Sequence, residues 1–208
     1  PVEAPTDDPE VWLMLREETR ATFRVFSVAA RHCRSPRTGD SDDFFVLQSN
    51  DWVNVVPITS DGRVVLIRQF RHGIREITLE VPGGIIDAGE LPEHAAAREL
   101  LEETGYQAGE LVPLGFVHPN PAIQVNRCFT FLARDVVFAA PPTPDSTEEI
   151  TTVLVPRLQL PSLVASGVIR HALVVAAIYA VDLYERGLMP EKGPVPEKRP
   201  VPENLTSG

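Results

Sequence analysis

The sequence predicts an α/β fold preceded by a small antiparallel β-subdomain, and three observations carry that expectation. β-Leaning runs divided by turn residues fill most of the chain from Arg20 to Pro82. A helical pattern then occupies Leu91 to Thr104. Further strand-like runs follow it, before two closing helices. Strands on both sides of a helix are the mark of a layered α/β domain.

The elements follow in order. The stretch to about Glu18 is acidic with scattered prolines and is predicted to end in a short helix. Two apolar runs, TFRVFSVAA and DFFVLQ, are expected as strands of an N-terminal subdomain, joined by the loop RSPRTGDSDD. WVNVVPIT and RVVLIRQF flank Ser60-Asp61-Gly62, and Asp-Gly supplies the positive φ angles of a tight hairpin turn. ITLEVP reads as a strand running into a turn at Gly83-Gly84. In the helix after it, Pro92 suits the first turn, Ala95 to Ala97 and Leu100-Leu101 give an apolar face, and Gly105 stands at the C-terminal cap. PLGFVH, CFTFLAR and ITTVLVP are the next strands, and helices near Leu158–Ser166 and His171–Arg186 close the fold. The expected division is residues 1–50 for the N-terminal segment, 51–188 for the main domain and 189–208 for an extended tail. PVPE occurs twice in that tail, whose composition buries too little apolar surface to order itself.

Composition narrows the classes of function. The 208 residues are 43% hydrophobic and 23% charged, which suits a globular chain with a core of its own. A net charge of −10 argues against a general binder of nucleic acid or anionic membrane. A small polyphosphate is still compatible, because bound cations supply positive charge locally. Cys33 and Cys128 lack metal-ligand spacing and read as free thiols of a reducing compartment. The N-terminus lacks the regions of a signal peptide. The longest apolar run, Ala172 to Val181, falls well short of the roughly 20 residues of a membrane span. A cytoplasmic protein without membrane or nucleic-acid partners is the expectation.

Chemistry is concentrated in GIIDAGELPEHAAARELLEETGY, Gly84 to Tyr106. At helical spacing Glu99, Glu102 and Glu103 project from one face, where three like charges repel one another. Glu-x-x-Glu-Glu alone would also fit a solvated helix face. The placement makes sense when a hard divalent cation such as Mg²⁺ is shared between carboxylates and substrate phosphates. Arg98 can reach back to a carboxylate of the preceding loop, with Glu90 the natural candidate. Gly83-Gly84 lets backbone approach closely and offers a carbonyl as a further ligand. Gly84, Glu90, Arg98, Glu99, Glu102, Glu103 and Gly105 stand at fixed spacing. At ~6% usage per residue type, coincidence is on the order of 10⁻⁸ to 10⁻⁹ per start point.

This pattern resembles the signature box of the Nudix hydrolases: Gly, five residues, Glu, seven residues, Arg-Glu-aliphatic, one residue, Glu-Glu, one residue, Gly-aliphatic. Leu100 fills the first aliphatic slot, and Tyr106 departs mildly at the last. The resemblance implies an α/β/α sandwich around a mixed sheet and cleavage of a nucleoside diphosphate linked to another moiety, with Mg²⁺ or Mn²⁺. It makes Glu99 and Glu103 the principal metal ligands, with Glu102 and the carbonyl of Gly83 or Gly84 in support. Glu90 and Gly105 are then structural members of the box, and Arg98 and Glu102 part of its catalytic apparatus.

Three flanking features resemble the ADP-ribose pyrophosphatases within that family. IRQFRHG followed by LEVPGG matches their Arg-Gln-aromatic-Arg and Glu-aliphatic-Pro-Ala-Gly pattern, with Gly83 where Ala is usual. By that match Arg71 contacts substrate phosphate, with Arg68 and Glu80 beside it in the substrate set. Pro121 stands about fifteen residues past the box, where this group carries a proline. The loop STEEIT implies a glutamate that activates the attacking water, Glu148 or its neighbour Glu149. In this group the N-terminal subdomain commonly exchanges between protomers and helps form the nucleoside pocket, so a homodimer is expected. Phe26 or Trp52 could stack on the base, or each could be core. The expected reaction is hydrolysis of ADP-ribose to AMP and ribose 5-phosphate. Alternatives are GDP-mannose or other nucleoside-diphosphate sugars, and, in a different class, a non-catalytic nucleotide sensor.

Overall fold

The structure, a computed structural model, describes residues 9–145 and 148–189. Ser146 and Thr147 of the STEEIT loop, and the Pro-rich tail beyond Met189, lie outside the described residues. The described residues divide into two compact units, one within residues 1–49 and 120–125, the other within residues 50–119 and 126–208.

The first unit is an antiparallel sheet of β1 (Leu13–Thr22), β2 (Ser27–Arg34) and β3 (Ser41–Gln48), in that order. The helix predicted to end near Glu18 is instead part of β1. Pairing overrides a weak local preference here, because the register sets Glu17 opposite Arg31. Arg31 Nε then meets Glu17 Oε2 at 2.5 Å, and Gln48 Nε2 donates to Glu17 Oε1 at 2.9 Å. Residues 120–125 return to this unit along β3. The Leu47 N–H donates to the Ile123 carbonyl at 2.7 Å, and the Val125 N–H donates to the Leu47 carbonyl at 3.2 Å.

The second unit contains β4 (Trp52–Ile58), β5 (Arg63–Arg71), β6 (Glu76–Glu80), β7 (Gly83–Ile85), α1 (Pro92–Thr104), β8 (Tyr106–Gln107), β9 (Glu110–Val117), β10 (Cys128–Arg134), β11 (Val137–Phe138), β12 (Ile150–Pro156), α2 (Leu160–Ala165) and α3 (Ala172–Glu185). The main sheet runs β12-β5-β4-β10-β9, and it is mixed because β10 lies parallel to β4. Gly62 closes the expected hairpin at φ 79°. Past that turn β4 and β5 share one ladder pair, Ile58 with Val64, and then diverge. β6 pairs with β5 and β7 pairs with β4, so these two short strands fill the split. Gly83-Gly84, expected as a turn, is therefore extended backbone paired to Val53 and Asn54.

Strand alternation divides the core between the two faces of the sheet. Val53, Val55, Val65, Phe129 and Phe131 pack against Ala95, Ala96 and Leu100 of α1. Val56, Val64, Leu66, Leu79 and Leu132 pack against Val174, Ala177 and Val181 of α3. Helices on both faces make the unit an α/β/α sandwich. Burying a side chain such as Leu100 completely contributes roughly 1.5–3 kcal/mol, so the apolar stripe of α1 fixes which face presents its glutamates.

Candidate active site

α1 begins with Pro92 at its first turn and stops at Gly105, whose φ of 73° lets its N–H bond the Leu101 carbonyl. Between those limits the apolar side of the helix turns inward and carries Glu103 with it. Glu103 is only 2% exposed, and its Oε2 accepts the Gly83 N–H at 2.8 Å. Burial pushes this carboxyl up to about 8, helped by Glu99 and Glu148 and opposed by the Gly83 N–H and Arg71. Glu99 also lies above the ordinary carboxylate range. Burial is again the main cause, Glu102 and Glu148 add to it, and Arg98 opposes it.

Gly84 has a packing role that its place in a strand makes plain. A Cβ there would overlap the Glu99 carboxylate, so the absent side chain is the space that this carboxylate occupies. At Gly83 a Cβ would overlap the Val53 carbonyl, so β7 lies closer to β4 than an alanine permits. The usual alanine of the motif would not fit this backbone.

Arg98 gathers the acidic groups around it. Its Nε and Nη2 bond the two oxygens of Glu90 at 2.9 Å each, so the reach back to Glu90 expected from the spacing is present. Nη2 also donates to the Ile85 carbonyl at 3.1 Å, and Nη1 donates to Glu99 at 2.8 Å and to Glu102 at 3.2 Å. The Arg98 fork holds Glu90 below the ordinary carboxylate range. Of Glu99, Glu102 and Glu103, Glu102 is the most exposed, at 44% of its side chain. Among the described residues no group of three or more acidic or imidazole side chains closes around one point. The donors nevertheless suit a hard divalent cation, because oxygen ligands held against their own repulsion gain most from a positive charge.

On the neighbouring strands, Arg71 and Glu80 form a second assembly. Arg71 Nε and Nη2 bond the two oxygens of Glu80 at 2.9 and 2.7 Å. Thr78 Oγ1 donates to Glu80 Oε1 at 2.5 Å. Burial disfavours the charge on Glu80, but the Arg71 fork, its field and the Thr78 hydroxyl outweigh it and hold the carboxyl below its usual range. With Glu80 2% exposed and Arg71 40% exposed, the carboxylate anchors one edge of the guanidinium and leaves the other toward solvent. Arg71 also feels the charges of Glu103 and Glu148, which ties this assembly electrostatically to the glutamate helix.

The loop carrying Glu148 is docked on the end of α1. The Thr143 N–H donates to the Glu102 carbonyl at 2.8 Å, and the Ala139 N–H donates to the Gly105 carbonyl at 2.8 Å. Glu148 is half-buried and its charge acts on Glu99, Glu103 and Arg71, whereas Glu149 is exposed. Arg68 is exposed, and β5 alternation turns it to the face opposite Arg71, away from this cluster. Trp52 is half-buried in β4 opposite Ile85. Phe26, half-buried against Phe23, and Pro121, exposed, belong to the first unit. One contributor had no place in the sequence reading: Thr78, for which the Thr-x-Glu spacing of one strand face was the signal.

Known proteins bear on this arrangement. Residues 50–177 match the NUDIX domain. ADP-ribose pyrophosphatase of Bacillus subtilis (strain 168) is 34% identical over 84 residues, 40% of this chain and 45% of that protein. ADP-sugar pyrophosphatase of Mus musculus is 32% identical over 150 residues, 65% of this chain and 67% of that protein. The chain thus spans less than half the length of the bacterial relative. A crystal structure of an ADP compounds hydrolase superposes with a TM-score of 0.77 at 26% identity, over 88% of this chain and 100% of that one. Nudix hydrolases generally depend on divalent metal. With the domain match covering most of the second unit, and the box and its flanking pattern in place, this chain belongs to the Nudix hydrolase family, close to its ADP-ribose pyrophosphatase group.

Proposed function

We propose that the protein hydrolyses the pyrophosphate bond of ADP-ribose, or of a related ADP-sugar, with Mg²⁺ as the natural metal and Mn²⁺ as a substitute. The observation that carries this reading is the convergence of two desolvated glutamates, Glu99 and Glu103, with Glu148 and the clamped Arg71. The names of the relatives support an ADP-sugar as substrate.

Glu99 and Glu103, with Glu102 and a carbonyl of Gly83 or Gly84, would hold the divalent cation. Bound there, it supplies neutralisation of the phosphates and a lowered pKa for coordinated water. Arg98 fixes the direction of Glu99 and ties the helix to the loop through Glu90. Arg71 turns its solvent-facing edge to a phosphate, with Glu80 and Thr78 setting its angle. Glu148 accepts a proton from the attacking water. That oxygen bonds one phosphorus, the bridging P–O bond breaks, and AMP and ribose 5-phosphate leave. Glu149, on an exposed position, serves only as a neighbour in this reading.

This reading makes the protein a cytoplasmic homodimer, and the first unit supports the dimer. Trp12, Leu13, Met14, Leu15, Phe44 and Phe45 are exposed, distributed over both faces of this sheet by strand alternation, and a second copy would cover part of this apolar area. Turnover of ADP-ribose, GDP-mannose, diadenosine polyphosphates and NADH with Mg²⁺ or Mn²⁺, read by phosphatase-sensitive products, tests the whole reading. ADP-ribose should lead the panel. Preference for GDP-mannose would move the substrate, and full activity of Glu148→Gln beside an inactive Glu149→Gln would move the base.

A further inference from the structure

The last turn of α1 leaves backbone carbonyls that no further turn of helix can satisfy. The loop of residues 139–145 meets that end of the helix. Thr143 donates its N–H to the Glu102 carbonyl at 2.8 Å. Just past the helix, the Gly105 carbonyl accepts the N–H of Ala139 at 2.8 Å and that of Ala140 at 3.2 Å. Gly105 also gives the loop room, because a Cβ there would overlap the Ala140 carbonyl and the Phe138 ring. The approach continues from the β8–β11 ladder, where Tyr106 stands opposite Phe138. In Pro141-Pro142-Thr143-Pro144 the prolines have no N–H to give and fix their own φ angles. Thr143 therefore supplies the one donor of that stretch, and it goes to α1.

The chain is held again a few residues later. Ile150 opens β12 opposite Gln69, which shares a face of β5 with Arg71. Glu148 lies between these two moorings, and its N–H donates to the Asp145 carbonyl at 2.9 Å. We propose that Thr143 is a positioning residue: its backbone N–H, in the space left by Gly105, moors the Glu148 loop to the helix that carries Glu99 and Glu103. The inference rests on the role of base given to Glu148 above. With that hydrogen bond in place, the base and the helix glutamates share one frame. Without it the mooring on the helix side retreats from Thr143 to Ala140, and the free span around Glu148 lengthens. A reacting group displaced by about 1 Å costs on the order of 10²-fold in rate.

Thr143→Pro removes the N–H, and Thr143→Ala keeps it. With Mg²⁺ and the preferred substrate of the panel, T143P should lower kcat by about 10–100-fold. KM, and metal affinity followed by protein fluorescence, should stay at their wild-type values. T143A should match the wild type in all three. In a Glu148→Gln background T143P should cost nothing further, because a residue acting through the base has no effect once the base is gone. Wild-type kcat in T143P, beside an inactive E148Q, overturns the proposal and leaves the Glu148 reading standing. A loss that persists undiminished in E148Q also overturns it. So does a T143P protein that unfolds or binds metal weakly, since Thr143 would then act on the helix and not on the base. Full activity of E148Q overturns the base and the mooring together.

Discussion

Arg98 grips Glu90 through two parallel hydrogen bonds of 2.9 Å, while its remaining nitrogen spans Glu99 and Glu102. One guanidinium thus joins the loop before α1 to two candidate metal ligands on the helix. Lysine cannot reproduce that fork. Arg98→Lys is expected to lower turnover by about 10–100-fold and to weaken metal binding with the fold retained. Metal titration followed by protein fluorescence, alongside circular dichroism, checks both parts. Wild-type metal affinity in R98K would show that the fork does not orient the glutamates.

Gly84→Ala is the smallest substitution that should disable the site. The added methyl overlaps the Glu99 carboxylate, and the β7–β4 pairing leaves the backbone little room to withdraw. A displacement of about 1 Å at a reacting centre costs on the order of 10²-fold in rate. The expected result is a loss of that size with a thermal midpoint close to wild type. Activity within twofold of wild type would mean that Glu99 can move without consequence.

The raised Glu103 carboxyl gives the metal-free protein a pH-dependent stability. A group whose folded pKa, here about 8, exceeds its ordinary 4.5 stabilises the fold fully below the lower value and loses that contribution as pH rises through the upper one. Thermal midpoints measured with EDTA should therefore decline between pH 5 and pH 8. The change corresponds to a few kcal/mol at most, at about 1.4 kcal/mol per unit. Mg²⁺ should restore more stability at pH 8 than at pH 5. In Glu103→Gln the slope should flatten, and an unchanged slope would assign it to other groups.

Cys128 lies at 1% exposure at the start of β10, and burial pushes its thiol up to about 12. The thiolate is the reactive form, so the native protein should leave this cysteine unmodified at pH 8. Ellman's reagent is expected to count one thiol in the native protein, Cys33, and two in urea. Rapid modification of both under native conditions would show that β10 opens.

Much of this architecture was legible because each signal was local. The hairpin at Asp61-Gly62, the limits of α1 at Pro92 and Gly105, and the Arg98–Glu90 reach all follow from spacing and single-residue chemistry. Where partners are distant in sequence, legibility failed. β1 reads as acidic and helix-prone, and only its pairing with Arg31 and Gln48 makes it a strand. β7, β8 and β11 have two or three residues each, too few for a period of two to register. The split between β4 and β5 turns an expected Gly-Gly turn into paired backbone. In sequence only the family pattern favours Arg71 over Arg68, and three positions along a strand suffice to send them to opposite faces.

The divergence of β4 from β5 has a consequence for how such a protein can change. β7 and the helix it leads into travel with β4, and they carry Gly83, Gly84 and the glutamates. The hairpin β5–β6 carries Arg71, Thr78 and Glu80. The Thr59–Gly62 turn joins β4 to β5, Val81 and Pro82 join β6 to β7, and the Pro82 carbonyl accepts the Val55 N–H at 2.9 Å. Reshaping the hairpin or its tip need not disturb the backbone on which the carboxylates are mounted. A designer seeking a new leaving group on this scaffold would do best to rebuild residues 68–80 and leave 83–105 as they are.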